Sequence, residues 1–175
     1  MSAQPERADL PDPYHVRVGG RHDDAEVLRL AHLMWESMGL EVAPDGPGPD
    51  WRDDYARVFD GAMRDGTMRA FVVDDPDEPS RLVACGVAWM YQLLPAPWLT
   101  NGRMGYLQWF STEPDHRGRG IATRVLEACR DWLVAEGCTR IHLHASPSGE
   151  QMYRSLGFGD SYFPNLWYSA PGTDV

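Results

Sequence analysis

The sequence LQWFSTEPDHRGRGIA, residues 107–122, decides the fold of this chain. Its first part reads as a strand that ends at Thr112, and its last part, Arg117–Ala122, leads directly into the strongest helical pattern in the chain. The first turn of a helix leaves backbone N–H groups unpaired and concentrates positive partial charge, which suits an anion. The order strand, glycine-rich turn and helix therefore predicts an anion-binding loop at Arg117–Ala122.

The residue types within Arg117–Ala122 support this interpretation. Gly118 and Gly120 carry no side chain that would keep an anion from the backbone, and they tolerate a positive φ. Arg117 and Arg119 add cationic groups that pair with phosphate oxygens. Helices usually cap their first amides with Ser, Thr, Asp or Asn, whereas Arg-Gly-Arg precedes Gly120, so those amides are left for a ligand. Neither the dinucleotide pattern G-x-G-x-x-G nor a Walker A Gly-Lys-Ser/Thr occurs.

Composition limits the classes of partner and compartment. The chain has 175 residues, 43% of them hydrophobic, with a formal net charge of -10 and a pI near 4.9. These values fit one globular domain that would repel nucleic acid. No apolar run approaches the ~18 residues of a membrane span, and the N-terminus has no signal-peptide pattern. The three cysteines show no metal-type clustering, so we expect reduced core thiols, no metal and a cytoplasmic protein.

The pattern of apolar residues predicts one α/β domain over residues 14–170, preceded by a flexible lead-in at residues 1–13. Predicted strands cover residues 14–18, 69–73, 82–91, 105–112, 139–145 and 162–168. Predicted helices cover a segment that starts near residue 23, with Asp23 or Asp24 as its N-cap, and residues 51–63, 120–136 and 148–156. Two loops rich in glycine and proline, residues 39–50 and 92–103, separate these elements.

Two stretches in this order resemble the GNAT superfamily of N-acetyltransferases. The first is LQWFSTEPDHRGRGIA followed by RVLEACRDWLVAEG, and it matches the Arg117, Gly120 and Ala122 pattern of the superfamily's cofactor motif. The second, IHLHASPSGEQMYRSLGF at residues 141–158, resembles the strand, helix and Tyr-x-x-x-Gly-Phe ending of that superfamily. The resemblance implies a single GNAT-like α/β domain with a mixed, curved and splayed sheet of about six to seven strands and about four helices.

The resemblance also implies acetyl-CoA as the co-substrate and assigns its binding residues. The pantetheine arm would lie where the strands near residues 107–112 and 141–145 splay apart. It would pair with the backbone near Phe110, Ser111 and Thr112. The pyrophosphate would bind at Arg117, Gly118, Arg119, Gly120, Ile121 and Ala122. The hydroxyl group of Thr123 would add a hydrogen bond.

Acyl transfer to an amine needs a neutral amine, a polarised thioester carbonyl and a proton for the leaving thiolate. Tyr153 occupies the tyrosine position of YRSLGF, and the resemblance assigns its phenol as the donor of that proton. Packing beside Met152 and Leu156 is its alternative role. Ser146 stands where many relatives have an asparagine that supports the cofactor, and capping of the following helix is its alternative role.

The motifs do not identify the base that deprotonates the amine. Residues 107–110 contain no carboxylate, so three candidates stay open: a water chain, His144 near the end of its strand, and the carboxylates Glu36 and Glu41 near the first loop. None of the three cysteines falls at a motif position. We therefore expect direct transfer without an acetyl-cysteine intermediate.

The acceptor is expected to be a small amine, chosen by the loops at residues 39–50 and 92–103. Candidate residues for an apolar wall are Leu93, Leu94, Trp98 and Trp109, and those for attracting a cation are Glu41, Asp45 and Asp50. Two other functions stay open: an acyl-CoA-binding sensor or interaction module without transferase activity, and a plain nucleotide-binding protein. The last predicted strand, with Trp167 and Tyr168, leaves a homodimer open, and the acyl-chain preference is not set.

Overall fold

The computed structural model of the chain describes residues 11, 13–40, 51–162 and 165–170. The chain divides into two compact units, one that ends at His144 and one that begins at Ala145. The predicted flexible lead-in at residues 1–13 lies almost entirely outside the described residues, as does the greater part of the loop at residues 39–50. Within the described ranges, no helix combines the length and the apolar character needed to cross a lipid bilayer.

A five-stranded mixed sheet forms the centre of the first unit. The strands are β1 (Val16–Val18), β2 (Met68–Asp74), β3 (Leu82–Gln92), β4 (Arg103–Thr112) and β5 (Arg140–Leu143). They lie in the order β1-β2-β3-β4-β5, with antiparallel pairs up to β4 and a parallel pair between β4 and β5. The helices of this unit are α1 (Asp24–Ser37), α2 (Trp51–Arg64) and α3 (Ile121–Ala135), and the helix of the second unit is α4 (Glu150–Ser155).

Helices cover both faces of this sheet, which explains why β2 and the first part of β3 are buried on both sides. On one face, Val27 and Leu30 of α1 and Phe59 of α2 form a core with alternate strand residues such as Val72 and Val87. These side chains are almost completely removed from water. The face that carries Val72 and Val87 is called the α1/α2 face below.

Two glycines let α3 approach the opposite face of the sheet closely. A Cβ atom at Gly86 would lie 2.8 Å from a methyl group of Val125 and 2.6 Å from the ring of Phe110. A Cβ atom at Gly105 would lie 2.8 Å from a methyl group of Leu133. Larger residues at these two positions would displace α3, so the glycines fix its packing on β3 and β4.

The parallel pairing of β4 with β5 covers only the first part of β4. It runs from Met104 opposite Arg140 to Leu107 opposite Leu143. Strand β4 itself continues to Thr112, beyond the last residue pair with β5. The pairing therefore ends where the resemblance implies a splay, and the edge of β4 beyond Leu107 has no partner in β5.

A β-bulge interrupts β4 within this unpaired stretch. Cys85 of β3 pairs with Ser111, but Val87, two residues further on, pairs with Gln108, so β4 carries one extra residue. Trp109 lies in the bulge and has φ of 58°, a left-handed conformation that is unfavourable for a bulky side chain. Bulges of this kind bend a strand and re-aim its side chains. The bulge thus changes the direction of the Trp109 side chain relative to the residues that follow it in β4.

The α/β class is confirmed by the mixed sheet and its helices, but the predicted strand at residues 162–168 is wrong for the residues that the structure describes. Residues 161, 162 and 165–170 are outside any strand, and Tyr162, Leu166 and Trp167 are 78–91% exposed. Their aromatic and apolar pattern does not face a core, so it is no evidence of a strand. The described sheet consequently has five strands where six to seven were expected.

Helix α1 begins as predicted, but its cap differs. Asp23 stands at the N-cap position, and no side chain caps the helix there. The Asp23 carboxylate instead accepts hydrogen bonds from the Arg17 guanidinium at 2.8 Å and from the backbone N–H of Gly20 at 2.7 Å. The residue therefore ties β1 to the turn before α1.

Candidate functional site

The loop between β4 and α3 has the backbone of an anion site. Gly118 and Gly120 adopt the left-handed conformation, with φ of 74° and 76°, and a Cβ atom at either position would meet no atom within 4 Å. Gly120 is the N-cap residue of α3, and no side chain caps this helix. The backbone amides of Ile121, Ala122 and Thr123 in its first turn have no acceptor within the helix. Hydrogen-bond donors, positive partial charge and open space therefore coincide here.

Two arginine side chains flank this loop and bond to neutral oxygens. Arg117 donates through Nε to the carbonyl oxygen of Thr112 at 2.9 Å. Arg119 donates to the hydroxyl group of Tyr14 at 2.9 Å and to the carbonyl oxygen of Asp115 at 3.2 Å. Among the described residues, no carboxylate lies within ion-pair distance of either guanidinium group. Both positive charges are therefore available to balance an anion.

Tyr14, which precedes β1, holds one of these arginines in place. Its side chain is buried, its hydroxyl group lies 2.9 Å from Nδ1 of His116, and the guanidinium of Arg119 lies 5.6 Å from its ring centroid. Sequence reasoning missed this residue, because no local pattern connects the start of the chain to a loop about a hundred residues later. The fold thus adds a support for the loop that the motif does not contain.

Two buried hydroxyl groups mark the end of β4. Ser111 is 7% exposed and Thr112 is 9% exposed, and neither side-chain oxygen has a hydrogen-bond partner among the described residues. Leaving a buried hydroxyl group unpaired costs about 1–3 kcal/mol, so a ligand that supplies the missing bond would be stabilised here. Phe110 also belongs to the edge of β4 beyond Leu107, which has no partner in β5. These features fit the extended, amide-bearing pantetheine arm expected from the sequence.

A cavity of about 360 Å³ lies on the α1/α2 face. Its aromatic lining residues are Trp35, Trp51, Tyr55, Phe59, Trp89 and Trp109. The Trp109 ring stacks on Tyr55 with a centroid distance of 5.6 Å and meets Trp35 edge-on at 5.5 Å. The bulge in β4 turns Trp109 into this cluster. We call the cavity with these aromatic residues the aromatic pocket.

The polar groups of the aromatic pocket are few. The indole nitrogens Nε1 of Trp51 and Trp89 are buried, and neither has a hydrogen-bond partner among the described residues. Asp54 also lines the pocket, but its side chain is 65% exposed and accepts a hydrogen bond of 2.6 Å from Arg57. Gln108 is the other polar lining residue. The buried polar atoms of the pocket that lack a partner among the described residues are therefore both N–H donors.

Of the four residues predicted to form an apolar wall, the structure brings only Trp109 to this pocket. Trp98 is 71%, Leu94 90% and Leu93 45% exposed. They belong to the connection between β3 and β4, which contains an isolated bridge between Ala96 and Leu99 and lies on the surface. The predicted acidic positions Glu41, Asp45 and Asp50 lie outside the described residues.

Two histidines at the end of the first unit share the α1/α2 face with the pocket. His142 pairs with Tyr106 and Tyr106 pairs with Trp89, and directly paired residues of neighbouring strands lie on one face. The hydroxyl group of Tyr91 lies 2.8 Å from Nε2 of His142, and that of Tyr106 lies 3.3 Å from Nδ1 of His144. Burial, with a contribution from nearby His144, lowers the pKa of His142, and burial raises the pKa of Tyr106.

Glu36 and the three cysteines have surroundings that fit a role in catalysis less well. Glu36 is exposed on α1, and Glu41 lies outside the described residues. Burial raises the pKa of the Cys85 thiol to about 12 and also raises the pKa of Cys129 and of Cys138. All three thiols are free and buried, which suits core residues rather than nucleophiles. Among the described residues, no group of three or more His, Cys, Asp or Glu side chains could hold a metal ion.

Tyr153 lies on α4 in the second unit. It is 9% exposed, and its ring centroid lies 6.1 Å from that of Phe158 in an edge-on contact. In the same unit, the side-chain oxygen of Ser146 accepts a hydrogen bond from the backbone N–H of Gly149 at 3.3 Å. Ser146 therefore stabilises the turn that leads into α4, which is the capping role considered for it.

The sequence of the chain is similar to sequences of known acetyltransferases. A model of the acetyltransferase (GNAT) family matches residues 27–158. The thialysine N-epsilon-acetyltransferase of Sus scrofa is 24% identical over 103 residues, which cover 57% of this chain and 59% of that protein. An acetyltransferase of Pectobacterium atrosepticum is 33% identical over 61 residues, or 33% of this chain and 43% of that protein. The chain thus spans less than two thirds of either relative.

Solved structures share the fold over more of their length. A predicted acetyltransferase of Clostridium acetobutylicum, solved with acetyl-CoA, aligns with a TM-score of 0.75 at 22% identity and covers 87% of this chain and 95% of its own. A GCN5-related N-acetyltransferase of Ralstonia eutropha aligns with a TM-score of 0.71 at 18% identity and covers 89% and 98%. At these identities the likeness shows the fold alone.

Proposed function

Since the chain belongs to the acetyltransferase (GNAT) family, we propose that it transfers the acetyl group of acetyl-CoA to the primary amine of a small molecule, by direct attack in a ternary complex. The observation that carries this proposal is the uncapped N-terminus of α3, where Gly118 and Gly120 are left-handed. Arg117 and Arg119 lie beside it without a carboxylate partner among the described residues. Few ligands other than a phosphate-bearing one would use all of these groups.

Each part of the cofactor has residues suited to hold it. The pyrophosphate would be bound by the backbone amides and cations of Arg117, Gly118, Arg119, Gly120, Ile121 and Ala122, with a further hydrogen bond from the hydroxyl group of Thr123. The pantetheine arm would lie along the strand end of β4 at Phe110, Ser111 and Thr112. The buried, unpartnered hydroxyl groups of Ser111 and Thr112 support this placement.

The protein's own residues would move two protons in the reaction. Bound acetyl-CoA supplies an activated acetyl thioester, so the chain has to deliver a neutral amine and to protonate the leaving sulfur. By the family resemblance, Tyr153 donates a proton to that sulfur. Of the candidate bases, His144 has the most support. Its Nδ1 lies 3.3 Å from the hydroxyl group of Tyr106, and the residue lies near the end of β5. Glu36, by contrast, is exposed on α1.

A small amine is the acceptor that the molecule suits best. The net charge of -10 attracts cationic amines from solution. The Sus scrofa relative is named for the N-epsilon acetylation of thialysine, a small amine. The aromatic pocket, at about 360 Å³, has the size of a small-molecule site.

Two measurements test this proposal together. A thermal-shift titration with acetyl-CoA should raise the melting temperature in a saturable way, and ATP or NAD should give a smaller shift because they lack pantetheine. A screen of amines that follows thiol release should then find turnover with small primary amines. Acetylation confined to protein lysines would contradict the acceptor class. Saturable binding with no thiol release from any amine would replace the transferase by an acyl-CoA-binding sensor.

A further inference from the structure

The aromatic pocket lies directly beside the strand end proposed to hold acetyl-CoA. Gln108 and Trp109 line the pocket, and the next residue along β4 is Phe110, the first of the proposed pantetheine residues. Because of the bulge at Trp109, these neighbouring residues face opposite sides of the sheet. The Trp109 side chain contacts α1 and α2, whereas Phe110 packs over Gly86 on the opposite face. A molecule in the pocket would therefore lie one residue along β4 from the first of the proposed pantetheine residues.

The pocket's buried polar atoms favour an uncharged occupant. An ammonium group would gain cation–π contacts with the rings, but Nε1 of Trp51 and Nε1 of Trp89 are donors only and could not bind its N–H groups. The Asp54 carboxylate is largely exposed and is neutralised by Arg57. Two buried donors that have no partner among the described residues favour an occupant that carries a hydrogen-bond acceptor atom.

The shape of the pocket favours rings over chains. Stacked and edge-on aromatic side chains form its walls, and such walls pack best against a planar group. Its volume of about 360 Å³ lies at the lower end of the range of ligand pockets, which is enough for one or two fused rings.

We infer that the aromatic pocket binds the non-reacting end of the acceptor, and that this end is an uncharged ring system with a hydrogen-bond acceptor atom. This inference rests on the proposed function, since the amine at the other end of such a molecule is the group that would be acetylated. It narrows the acceptor from small amines in general to ring-bearing amines. Polyamines, which carry no ring, are poor occupants of this pocket.

A matched set of amines tests this inference by equilibrium binding. Isothermal titration calorimetry, with and without saturating CoA, would compare 2-(4-pyridyl)ethylamine, 2-phenylethylamine, hexylamine and spermidine at pH 8. The pyridyl and phenyl compounds have the same shape and differ in one acceptor nitrogen. We expect the ring amines to bind at least about tenfold more tightly than hexylamine or spermidine, and the pyridyl compound about tenfold more tightly than the phenyl compound.

Two variants with matched controls locate the effect. Trp89→Phe keeps a ring but removes one donor, and it should reduce the difference between the pyridyl and phenyl compounds to about twofold. The control Trp132→Phe removes an indole N–H on α3 that already donates to Glu136, and it should leave that difference unchanged. Val58→Phe should fill the pocket from a position that is 43% exposed, so folding is little affected, and weaken ring amines about tenfold. The control Val134→Phe, at an exposed position of α3, should not.

The outcomes separate this inference from the proposed function. Equal or tighter binding of spermidine or hexylamine, or unchanged binding of ring amines to Val58→Phe, overturns the pocket assignment. Thiol release from acetyl-CoA with polyamines alone would overturn the pocket assignment and leave the transferase intact. Ring amines that bind and respond to both variants, yet never release thiol, would support the pocket and contradict the transferase.

Discussion

The loop proposed to bind the pyrophosphate, Arg117–Ala122, and the aromatic pocket are built in opposite ways. The loop consists of consecutive residues, and its donors are backbone amides at the start of one helix. The pocket collects side chains from α1, α2, β2, β3 and β4, and its surface consists almost entirely of aromatic rings and aliphatic groups. The bulge at Trp109 lies between the two regions.

This difference suggests that the two regions have separate functions. Backbone amides remain donors whatever the side chains are, so a loop of this kind can serve a whole family that shares one cofactor. Side chains in a pocket decide which molecule fits, and they can change without altering the cofactor loop. Under the proposed function, the loop would bind acetyl-CoA and the pocket would select the acceptor.

The largest expected effect lies in the loop. Gly120→Ala puts a side chain at φ of 76°, where an L-residue is strained, and into the open space proposed for the phosphate. We expect the KM for acetyl-CoA to rise on the order of 100-fold, because the amide bonds to a charged group are displaced. Steady-state kinetics would measure it.

Gly66→Ala is the matched control for Gly120→Ala. Gly66 has φ of 70° and equally open surroundings, but it lies in the turn between α2 and β2. Both variants should lose a similar amount of thermal stability, and only Gly120→Ala should lose affinity for acetyl-CoA. Equal KM values in the two variants would show that the loop does not hold the cofactor.

The second largest effect is expected on kcat, at Tyr153, the proposed donor of a proton to the leaving sulfur. Tyr153→Phe keeps the buried ring and removes the hydroxyl group, so we expect kcat to fall about 10- to 100-fold while acetyl-CoA affinity changes little. Thiol release under saturating substrates and a thermal-shift titration would separate the two quantities. Unchanged turnover would make Tyr153 a packing residue beside Phe158.

A smaller effect tests whether the fold supports the loop. Tyr14→Phe removes the hydroxyl group that binds Arg119 and His116 and keeps the ring beneath the guanidinium. We expect the KM for acetyl-CoA to rise about fivefold with kcat nearly unchanged, because Arg119 keeps its charge and loses only one bond that positions it. Tyr168→Phe, at a side chain that is 87% exposed, is the control. A fall in kcat alone would contradict a positioning role in cofactor binding.

The smallest effect is expected at the bulge, where Cys85 donates its S–H to the carbonyl oxygen of Trp109 at 3.3 Å. Because burial raises the pKa of Cys85 to about 12, its thiol stays protonated at pH 8 and at pH 10. Iodoacetamide should therefore cause no loss of activity in the native protein at either pH, while all three cysteines become alkylated in guanidinium chloride. Rapid inactivation at pH 8 would instead point to an acetyl-cysteine route.

Sequence reasoning works best where a residue's role depends on its immediate neighbours. The strand, glycine turn and helix around Gly118 and Gly120 are such a case, and so is the antiparallel pairing of β2 with β3. It fails where the role depends on distant contacts. Residues 165–170 carry a strand-like pattern without a strand, and Tyr14 supports a loop far along the chain.

The sequence by itself determined the family, through two motifs that resemble it. It also determined the α/β class and the position of the glycine turn before α3, because periodicity, glycine placement and the lack of a helix cap are properties of neighbouring residues. Only the tertiary structure decided which aromatic residues share a pocket, that Trp98 stays on the surface while Trp109 turns inward, and that two indole donors have no partner within the described part of the chain. Those facts depend on how separate elements pack against each other and on one bulge in β4, and side-chain packing between distant segments leaves no local pattern in the sequence.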